Sequence, residues 1–492
     1  MSDTTIPTDA IVVPGTNRVF KRRRILWVLL FELAVALMAI SSINVALPAI
    51  REGVGASDSD IQLMLSGYAL TFGVTLVAMG RIGDITGRSR MFVIGLSIFS
   101  LSSLGCALSH DPWTLNFFRL LQGVGAGTSS PQVNGIILTY FSGRKRAIAF
   151  SYFGLVVSVS VAVAPMLTGF LINTLGPDLG WRASFLWNAP IGLTAVILAC
   201  FWLPFGTERQ RRLDRKAGTL TRSRIDFDPV GMILLALTVI MAMAPFMLKD
   251  PLLYLLLIGA AICGYLWVRW ERHYKISHEP MVDLDLFRYR SFTNAMLVSG
   301  TLFLGATSVF VILALYLQNG LGVSPLVVGI IGVPNAIAGA FGSLVAGRRV
   351  LDNGRTLVVI GVCLYMTGLL STMLMSLLVV PPHQLIDPMW LAVPLAINGF
   401  AIGLVNSANQ TLSQSDIPPQ MGGTAGAVKQ VAERMGTAVG NAMLTAIFFA
   451  GVAHSWEAGF LVSFATICII LLMSLSFAIM DLKTLGNPRA NH

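Results

Sequence analysis

Gly80–Arg90 reads GRIGDITGRSR, a short charged link between two long apolar runs. Gly80, Gly83 and Gly87 allow a tight turn and a close approach of two helices, because a residue without Cβ tolerates both. Asp84, Arg88 and Arg90 place fixed charge at the ends of the runs, where a bilayer surface would hold it. The fold class therefore turns on whether the flanking runs are membrane spans.

Of the 492 residues, 55% are hydrophobic and only 12% charged. The mean hydropathy is +0.74, outside the range of soluble globular chains. The formal net charge is +10, but Lys and Arg occupy short links between apolar runs rather than one surface stripe, which excludes nucleic acid as a partner. Cys106, Cys200, Cys263, Cys363 and Cys468 all fall inside apolar runs, with no CxxC pair and no His at ligand spacing, so neither disulfides nor metal sites are expected. No cofactor is expected either, and the absence of a GxxxxGK[ST] loop argues against ATP drive.

A span needs about 20 apolar residues to cross a ~30 Å hydrocarbon core. On that measure helices are expected near 25–48, 61–80, 90–109, 112–139, 147–173, 183–204, 229–248, 251–271, 292–318, 325–346, 356–379, 389–411, 424–450 and 459–480, about fourteen in all. The runs lack the alternation of a membrane barrel, which leaves an all-α polytopic membrane protein. The first run is too long for a signal-peptide core and is expected to stay attached.

Lys and Arg accumulate before span 1 (Arg18, Lys21, Arg22, Arg23, Arg24) and after spans 2, 4 and 6 (Arg81, Arg88, Arg90; Arg144, Lys145, Arg146; Arg209, Arg211, Arg212, Arg215, Lys216). The links after spans 1, 3 and 5 hold mainly Asp58, Asp60, Asp111 and Asp178. The positive-inside rule then places both termini in the cytoplasm. A degenerate echo of the opening stretch, GRRVLDNGR at Gly347–Arg355, points to two related halves, the usual plan of a secondary transporter.

These stretches resemble the major facilitator superfamily. The loop after that family's second span has Gly, Asp four residues on, Gly seven on and basic residues just after; here they are Gly80, Asp84, Gly87, Arg88 and Arg90, with Ser89 departing from a usually basic position. Asn44-Val-Ala-Leu-Pro48, Arg119-Leu-Leu-Gln-Gly-Val-Gly125, Gly180-Trp-Arg182 with Phe185, Asn188, Pro190 and Gly192, and Tyr316-Leu-Gln318 before Gly322 and Ser324-Pro325 extend the likeness over nearly the whole chain. With the span count, the chain looks like the fourteen-span drug:proton antiporter branch. The resemblance implies a two-bundle fold with two extra central helices. Its parts would be a cytoplasmic tail (1–24), an N-terminal six-helix bundle (25–204), a charged connector (205–228), two inserted helices (229–271), a cytoplasmic link (272–291), a C-terminal six-helix bundle (292–480) and a second tail (481–492).

Two departures bear on mechanism. The family's first span carries an acidic residue five positions before the Asn of NVALP, and here that position is Ala39. Glu32 lies seven residues earlier, about two turns away on much the same face. In span 5, where the antiporter branch has glycines around a Gly-Pro, this chain has Ser151, Ser160, Ala164, Pro165, Thr168 and Gly169; small size and a proline bend are kept, with Pro165 and Gly169 as the bend and packing positions.

The resemblance makes Glu32, Asn44, Arg119 and Gln122 candidates for proton coupling or the substrate cavity. A plain alternative for Glu32 is a neutral packing residue, and for Arg119 an Arg bonded to backbone carbonyls or to Gln122. Gly80, Asp84, Gly87, Arg88 and Arg90 become a conformational gate, with Asp84 facing the N-terminal end of span 13, where a carboxylate is stabilised. Lys429, Glu433 and Arg434 form a candidate ion-pair group, Lys429 and Glu433 being four apart on one helix face. The cavity would lie among spans 1, 4, 9 and 12, with Gln318, Asn335, Asn398, Asn406, Asn409 and Gln410 as sparse polar contacts.

The expected function is proton-coupled export of amphipathic small molecules or drugs by a monomer in the cell membrane. The alternative is export of an endogenous metabolite such as an amino acid, a sugar or a lipid-like compound. An intramembrane enzyme would need paired carboxylates or a His cluster at the membrane edge, and the six His residues are scattered; no catalytic residue is assigned.

Overall fold

The computed structural model describes residues 10–12, 19–205, 228–248, 251–379 and 387–487. The charged connector, with Arg209, Arg211, Arg212, Arg215 and Lys216, lies outside the described residues apart from its two ends. The helices are α1 (Arg22–Ser41), α2 (Ile43–Val54), α3 (Asp58–Thr86), α4 (Arg88–Ala107), α5 (Pro112–Tyr140), α6 (Gly143–Leu175), α7 (Pro177–Leu186) and α8 (Asn188–Trp202) in the first half. Then come α9 (Pro229–Leu248) and α10 (Leu256–Tyr274), followed by α11 (Arg290–Ala306), α12 (Ser308–Leu315), α13 (Pro325–Val379), α14 (Ala392–Ser413), α15 (Gly422–Val452) and α16 (Trp456–Leu485). Ahead of α1, a two-stranded antiparallel ribbon pairs β1 (Ala10–Val12) with β2 (Val19–Lys21) and packs Ile11 and Phe20 on the first-half core. The N-terminal tail is thus partly structured.

Twelve described helical stretches are long and apolar enough to cross a membrane. The polar side chains of α5 lower its hydropathy, yet its 29 residues give it the length of a crossing. The 55 residues of α13 would reach about 80 Å if straight. They fold back instead at Asn353 (φ −132°, ψ 30°), so that both arms run beside α14. A Cβ added at Gly342 would meet the Leu404 nitrogen at 3.0 Å, and one at Gly361 would meet the Val405 side chain at 2.5 Å. The described residues therefore supply fourteen crossing segments.

The structure corrects several expected boundaries. The opening stretch is mostly helix: α3 runs through Gly80, Gly83 and Asp84 to Thr86, and Gly87 alone turns, at φ 119°, where only glycine is at ease. Gly347–Arg355 is likewise helical except at Asn353. Span 1 is broken at Ser42 into α1 and α2, with Pro48 inside α2. Span 6 is broken at Trp187, since the ring of Pro190 removes an N–H and crowds the carbonyl of Leu186. Span 9 bends at Thr307, whose hydroxyl bonds back to the Phe303 carbonyl at 3.0 Å, a contact that bends helices.

Both described chain ends lie on one face of the bundle, here called the terminal face. Arg22 at the start of α1 donates to the Tyr140 carbonyl at the end of α5 (3.0 Å), and Arg355 donates to the Gly486 carbonyl just past α16 (2.8 Å). The two halves meet along α6 with α13 and along α3 and α5 with α15. Small residues make these seams tight: a Cβ on Gly347 would lie 2.2 Å from Ser151 Cβ, and one on Gly154 would lie 2.6 Å from Ser343 Oγ. Gly169 takes no part, because a Cβ there would meet only Val45 at 3.9 Å, an ordinary contact. Close packing in α6 comes from Ser151, Gly154 and Ser158, toward the terminal face, while Pro165 sits inside an unbroken helix.

Candidate functional site

Polar groups gather at two depths between the halves and again within the first half. At the terminal face, Asp84 on α3 reaches the buried N–H groups that begin α15. Its Oδ1 accepts from Gly423 N at 3.3 Å, and its Oδ2 accepts from Thr424 N and Thr424 Oγ1 at 3.0 Å each. The first turn of a helix has unpaired N–H groups and a positive dipole end, so a carboxylate is well placed there. Arg88 completes the knot: Nε donates to Asp84 Oδ1 at 2.7 Å, Nη1 to the Gly135 carbonyl and Thr139 Oγ1, and Nη2 to the Pro419 carbonyl at 2.5 Å. Gly80 is needed for approach rather than for turning, since a Cβ there would lie 3.1 Å from Ala427 Cβ. Arg90 is exposed, and Ser89 is buried with its hydroxyl on the Pro204 carbonyl at 2.7 Å.

Deeper in the seam, Lys429 is 4% exposed and donates to Glu433 Oε1 at 2.9 Å and to Gln410 Oε1. Lysine has donors only. Gln410 must therefore turn its oxygen to Lys429 and its nitrogen across the seam, where Nε2 donates to Asn134 Oδ1 on α5 at 2.9 Å. Ser130 Oγ, also on α5, donates to Gln430 Oε1 of α15 at 3.1 Å. Arg434 does not join the ion pair; its guanidinium lies over the Phe72 ring, 4.9 Å from the centroid.

Within the first half are two buried groups, set about 15 Å apart along α5. Glu32, 1% exposed, lies about 15 Å along α1 from Arg22. Its Oε1 is 2.6 Å from Ser129 Oγ of α5, and Oε2 has no partner among the described residues. Ser129 Oγ also lies 3.2 Å from the Gly125 carbonyl. A hydroxyl has one hydrogen, so Ser129 can donate to an ionised Glu32, or accept from a protonated one while donating to Gly125. Both protonation states of Glu32 find a partner without any movement of the backbone.

Arg119, 2% exposed, stacks on the Tyr68 ring at 4.3 Å, donates through Nη1 to Gln122 Oε1 at 2.5 Å and through Nε to the Met64 carbonyl at 3.4 Å. Gln122 passes the chain on to Ser103 Oγ at 2.6 Å. The plainer reading of Arg119, bonded to a backbone carbonyl and Gln122, thus describes its contacts. Glu32 and Arg119 use separate partners. Ala39 is fully buried in an apolar core with Tyr68, Phe72 and Phe99. Asn44 falls in α2, and its side chain lies outside what the structure describes.

Other functional candidates were not visible beforehand. Ser129 gains its role only from the packing of α1 on α5. Arg355, in the echo of the opening stretch, pairs not with Asp352 but with Asp481 of α16 at 2.9 Å, and Asn294 of α11 donates to the same carboxylate at 2.8 Å. Of the second-half polar candidates, Asn409 donates to the Ala295 carbonyl at 2.8 Å and to Ser299 Oγ at 2.7 Å, and Asn335 to the Leu395 carbonyl at 2.8 Å.

Comparison with known proteins agrees with this geometry. Residues 29–441 match the family model of the Major Facilitator Superfamily. The chain is 30% identical over 421 residues to the probable actinorhodin transporter of Streptomyces coelicolor, covering 82% of this chain and 69% of that one. It is 29% identical to the puromycin resistance protein pur8 of Streptomyces alboniger (86% and 81% covered) and 26% to the multidrug resistance protein Stp of Mycobacterium tuberculosis (84% and 74%). Among solved structures, the human organic anion transporter MFSD10 superposes with a TM-score of 0.66 at 15% identity over 93% of this chain and 99% of that one. The proton:xylose symporter XylE gives 0.66 at 14% identity over 95% and 96%; these two likenesses speak for the fold. The fourteen crossing segments among the described residues, the contacts of Asp84 and Arg88 across the bundle, and a family match over most of its length make this chain a multi-pass membrane transporter that belongs to the Major Facilitator Superfamily.

Proposed function

We propose that this transporter exports amphipathic small molecules across the cell membrane in exchange for protons, with the terminal face and both chain ends in the cytoplasm. The basic links support the orientation by the positive-inside rule. The names of the resistance-protein relatives support drug-like cargo. The hydrogen bonds across the halves cluster toward the terminal face, which supports reading this state as closed on that face.

The observation that carries proton coupling is Glu32: a buried carboxyl within a membrane-crossing helix, with one partner that suits both its charged and neutral forms. Outward opening would let it take a proton; closure and inward opening would let it release one. Asp84 and Arg88 act as the latch that must break in between. Arg119 and Gln122 hold the α5 wall of the cavity. The test is transport in proteoliposomes, comparing flux driven by an imposed pH gradient with exchange at zero gradient. A gradient that leaves flux unchanged removes proton coupling from the reading. The alternative cargo, an endogenous metabolite, draws support from Ala39: without the family's acid at that position, selection for cations is weaker.

A further inference from the structure

On the flank of the first half, α1 and α8 enclose a groove of about 270 Å³. Phe31 of α1 forms one wall, and Pro190, Ile191, Thr194, Ala195 and Leu198 of α8 form the floor and the other wall. Its shape follows from side-chain size: Thr194 and Ala195 are small and sit between Ile191 and Leu198, while Phe31 is 41% exposed. α8 packs on α1, α4 and α7, all in the first half, so the groove lies away from the seam between the halves. Beside it α8 exposes Leu193, Ile197 and Phe201, the bare apolar face of a membrane-crossing helix, which meets lipid.

The groove suits hydrocarbon. The Thr194 hydroxyl donates to the Pro190 carbonyl at 2.7 Å, so the one polar side chain in the lining is satisfied within its own helix. A polar ligand there would give up its hydration and gain no hydrogen bond in return.

Toward the terminal face the groove ends in positive charge. On α1, Trp27 lies one turn before Phe31, and Arg23 and Arg24 one turn before Trp27, so all four share a face. On α8, Trp202 lies one turn past Leu198. The two lines meet where the Arg24 guanidinium lies over the Trp202 ring, 5.6 Å from its centroid. Lys21, Arg23 and Arg24 are exposed, and α8 contains no charged side chain. From Pro190 to Trp202 the distance along α8 is about 18 Å, close to one leaflet of a ~30 Å hydrocarbon core. An arginine fork matches the oxygens of a phosphate, tryptophan favours the membrane–water interface, and basic residues at that depth attract anionic lipids.

We propose that the α1–α8 groove is a binding site for one acidic phospholipid of the leaflet at the terminal face, with an acyl chain against Thr194 and Ala195 and the phosphate at Arg24 beside Trp202. The site lies within the first half and does not depend on the cargo, the direction of transport or the coupling ion.

The test uses the purified full-length protein, freed of lipid in neutral detergent and titrated with dioleoyl phosphatidylglycerol or dioleoyl phosphatidylcholine, with binding of the first lipid read by native mass spectrometry. One basic residue near the surface favours an anionic lipid about fivefold, so the parent should prefer phosphatidylglycerol by at least about that factor. Arg24→Ala should weaken phosphatidylglycerol about fivefold and leave phosphatidylcholine unchanged. Thr194→Trp fills the groove without touching the charges and should weaken phosphatidylglycerol at least about fivefold; Thr194→Phe serves if that variant does not fold. Equal affinity of the parent for the two lipids overturns the proposal, as does parental phosphatidylglycerol binding by Arg24→Ala. Parental binding by the groove-filled variant overturns it too, by showing attraction to surface charge without a seat for the chain.

Discussion

Asp84 and Thr424 lie 340 residues apart and are joined twice, the backbone N–H and the hydroxyl of Thr424 both donating to Asp84 Oδ2 at 3.0 Å. These bonds, with that of Gly423 N to Asp84 Oδ1, cross between the halves at the terminal face, whereas the contacts of Lys429 and Gln430 lie deeper. Opening toward that face has to break them.

Asp84→Asn should therefore shift the balance toward opening at the terminal face. Bonds to a charged group contribute about 1.5–3 kcal/mol each, and a helix N-terminus adds about 0.3–1 kcal/mol for a full negative charge. Losing even ~1.4 kcal/mol changes the ratio of states about tenfold. Transport at equal membrane abundance should fall by about that factor, while the yield of folded protein stays near parental. Parental transport by the Asn variant would mean that the latch does not govern the cycle.

Arg119 offers a sharper chemical test, because three kinds of contact meet on one guanidinium. Its plane stacks on Tyr68, Nη1 holds Gln122, and Nε reaches the Met64 carbonyl. An ammonium cannot reproduce the fork or the stacking. Arg119→Ala should abolish transport, and Arg119→Lys should recover little of it. Gln122→Ala should cost less than Arg119→Ala, since Arg119 keeps the ring and the carbonyl. Recovery of most activity by Lys would reduce the role of Arg119 to positive charge.

Just past α10, Lys275 pairs with Asp283 at 2.6 Å and with Asp285, and these pairs have their own dependence on pH. Hydrogen bonds from Lys275 hold the Asp285 carboxyl below its usual range, and Asp283 with Asp285 raise Lys275. A lowered carboxylate stabilises the fold above its unfolded value of about 4 and loses that as pH falls through the folded one. A raised lysine stabilises below about 10.4 and loses that as pH rises through its folded value. Between these limits the contribution is constant. Lys275→Met should thus lower thermal stability only slightly, the groups being largely exposed, and leave its pH profile between about 5 and 9 parallel to the parent's. A changed slope in that window would assign the pH response to Lys275.

The sequence made some of this legible and hid the rest for physical reasons. Span count followed from uninterrupted apolar runs; the breaks at Ser42 and Trp187, inside spans expected at 25–48 and 183–204, did not follow. Nor did the bend at Thr307, since a back-bonding threonine looks like any other in sequence. Arg119 with Gln122 was readable from i,i+3 spacing, and Lys429 with Glu433 from i,i+4. Pairs that need tertiary packing were not: Glu32 finds Ser129 97 residues away, and Arg355 finds Asp481 126 away. Gly83 misled in another way. It stood in a predicted turn, but in the structure it is helical and leaves room for the side chain of Gln132.

Glu32 carries the riskiest expectation. The carboxyl is buried between α1 and α5, and Ser129 is its one hydrogen-bond partner among the described residues. Such a group is costly to keep in a bilayer unless it works. If it is the coupling residue, Glu32→Gln, which keeps the size and the bond to Ser129 but cannot lose a proton, should abolish flux driven by an imposed pH gradient and spare exchange at zero gradient. Ser129→Ala should weaken driven flux without abolishing it, because the carboxyl remains but loses the hydroxyl that serves both its states. Adding Ala39→Asp to Glu32→Gln returns an acid two turns along the same helix, against Tyr68 and Phe72, and should restore part of the driven flux. Driven flux equal to the parent's in Glu32→Gln vesicles would move the coupling site to Glu433, the carboxylate on α15 that Lys429 holds, or show transport without protons.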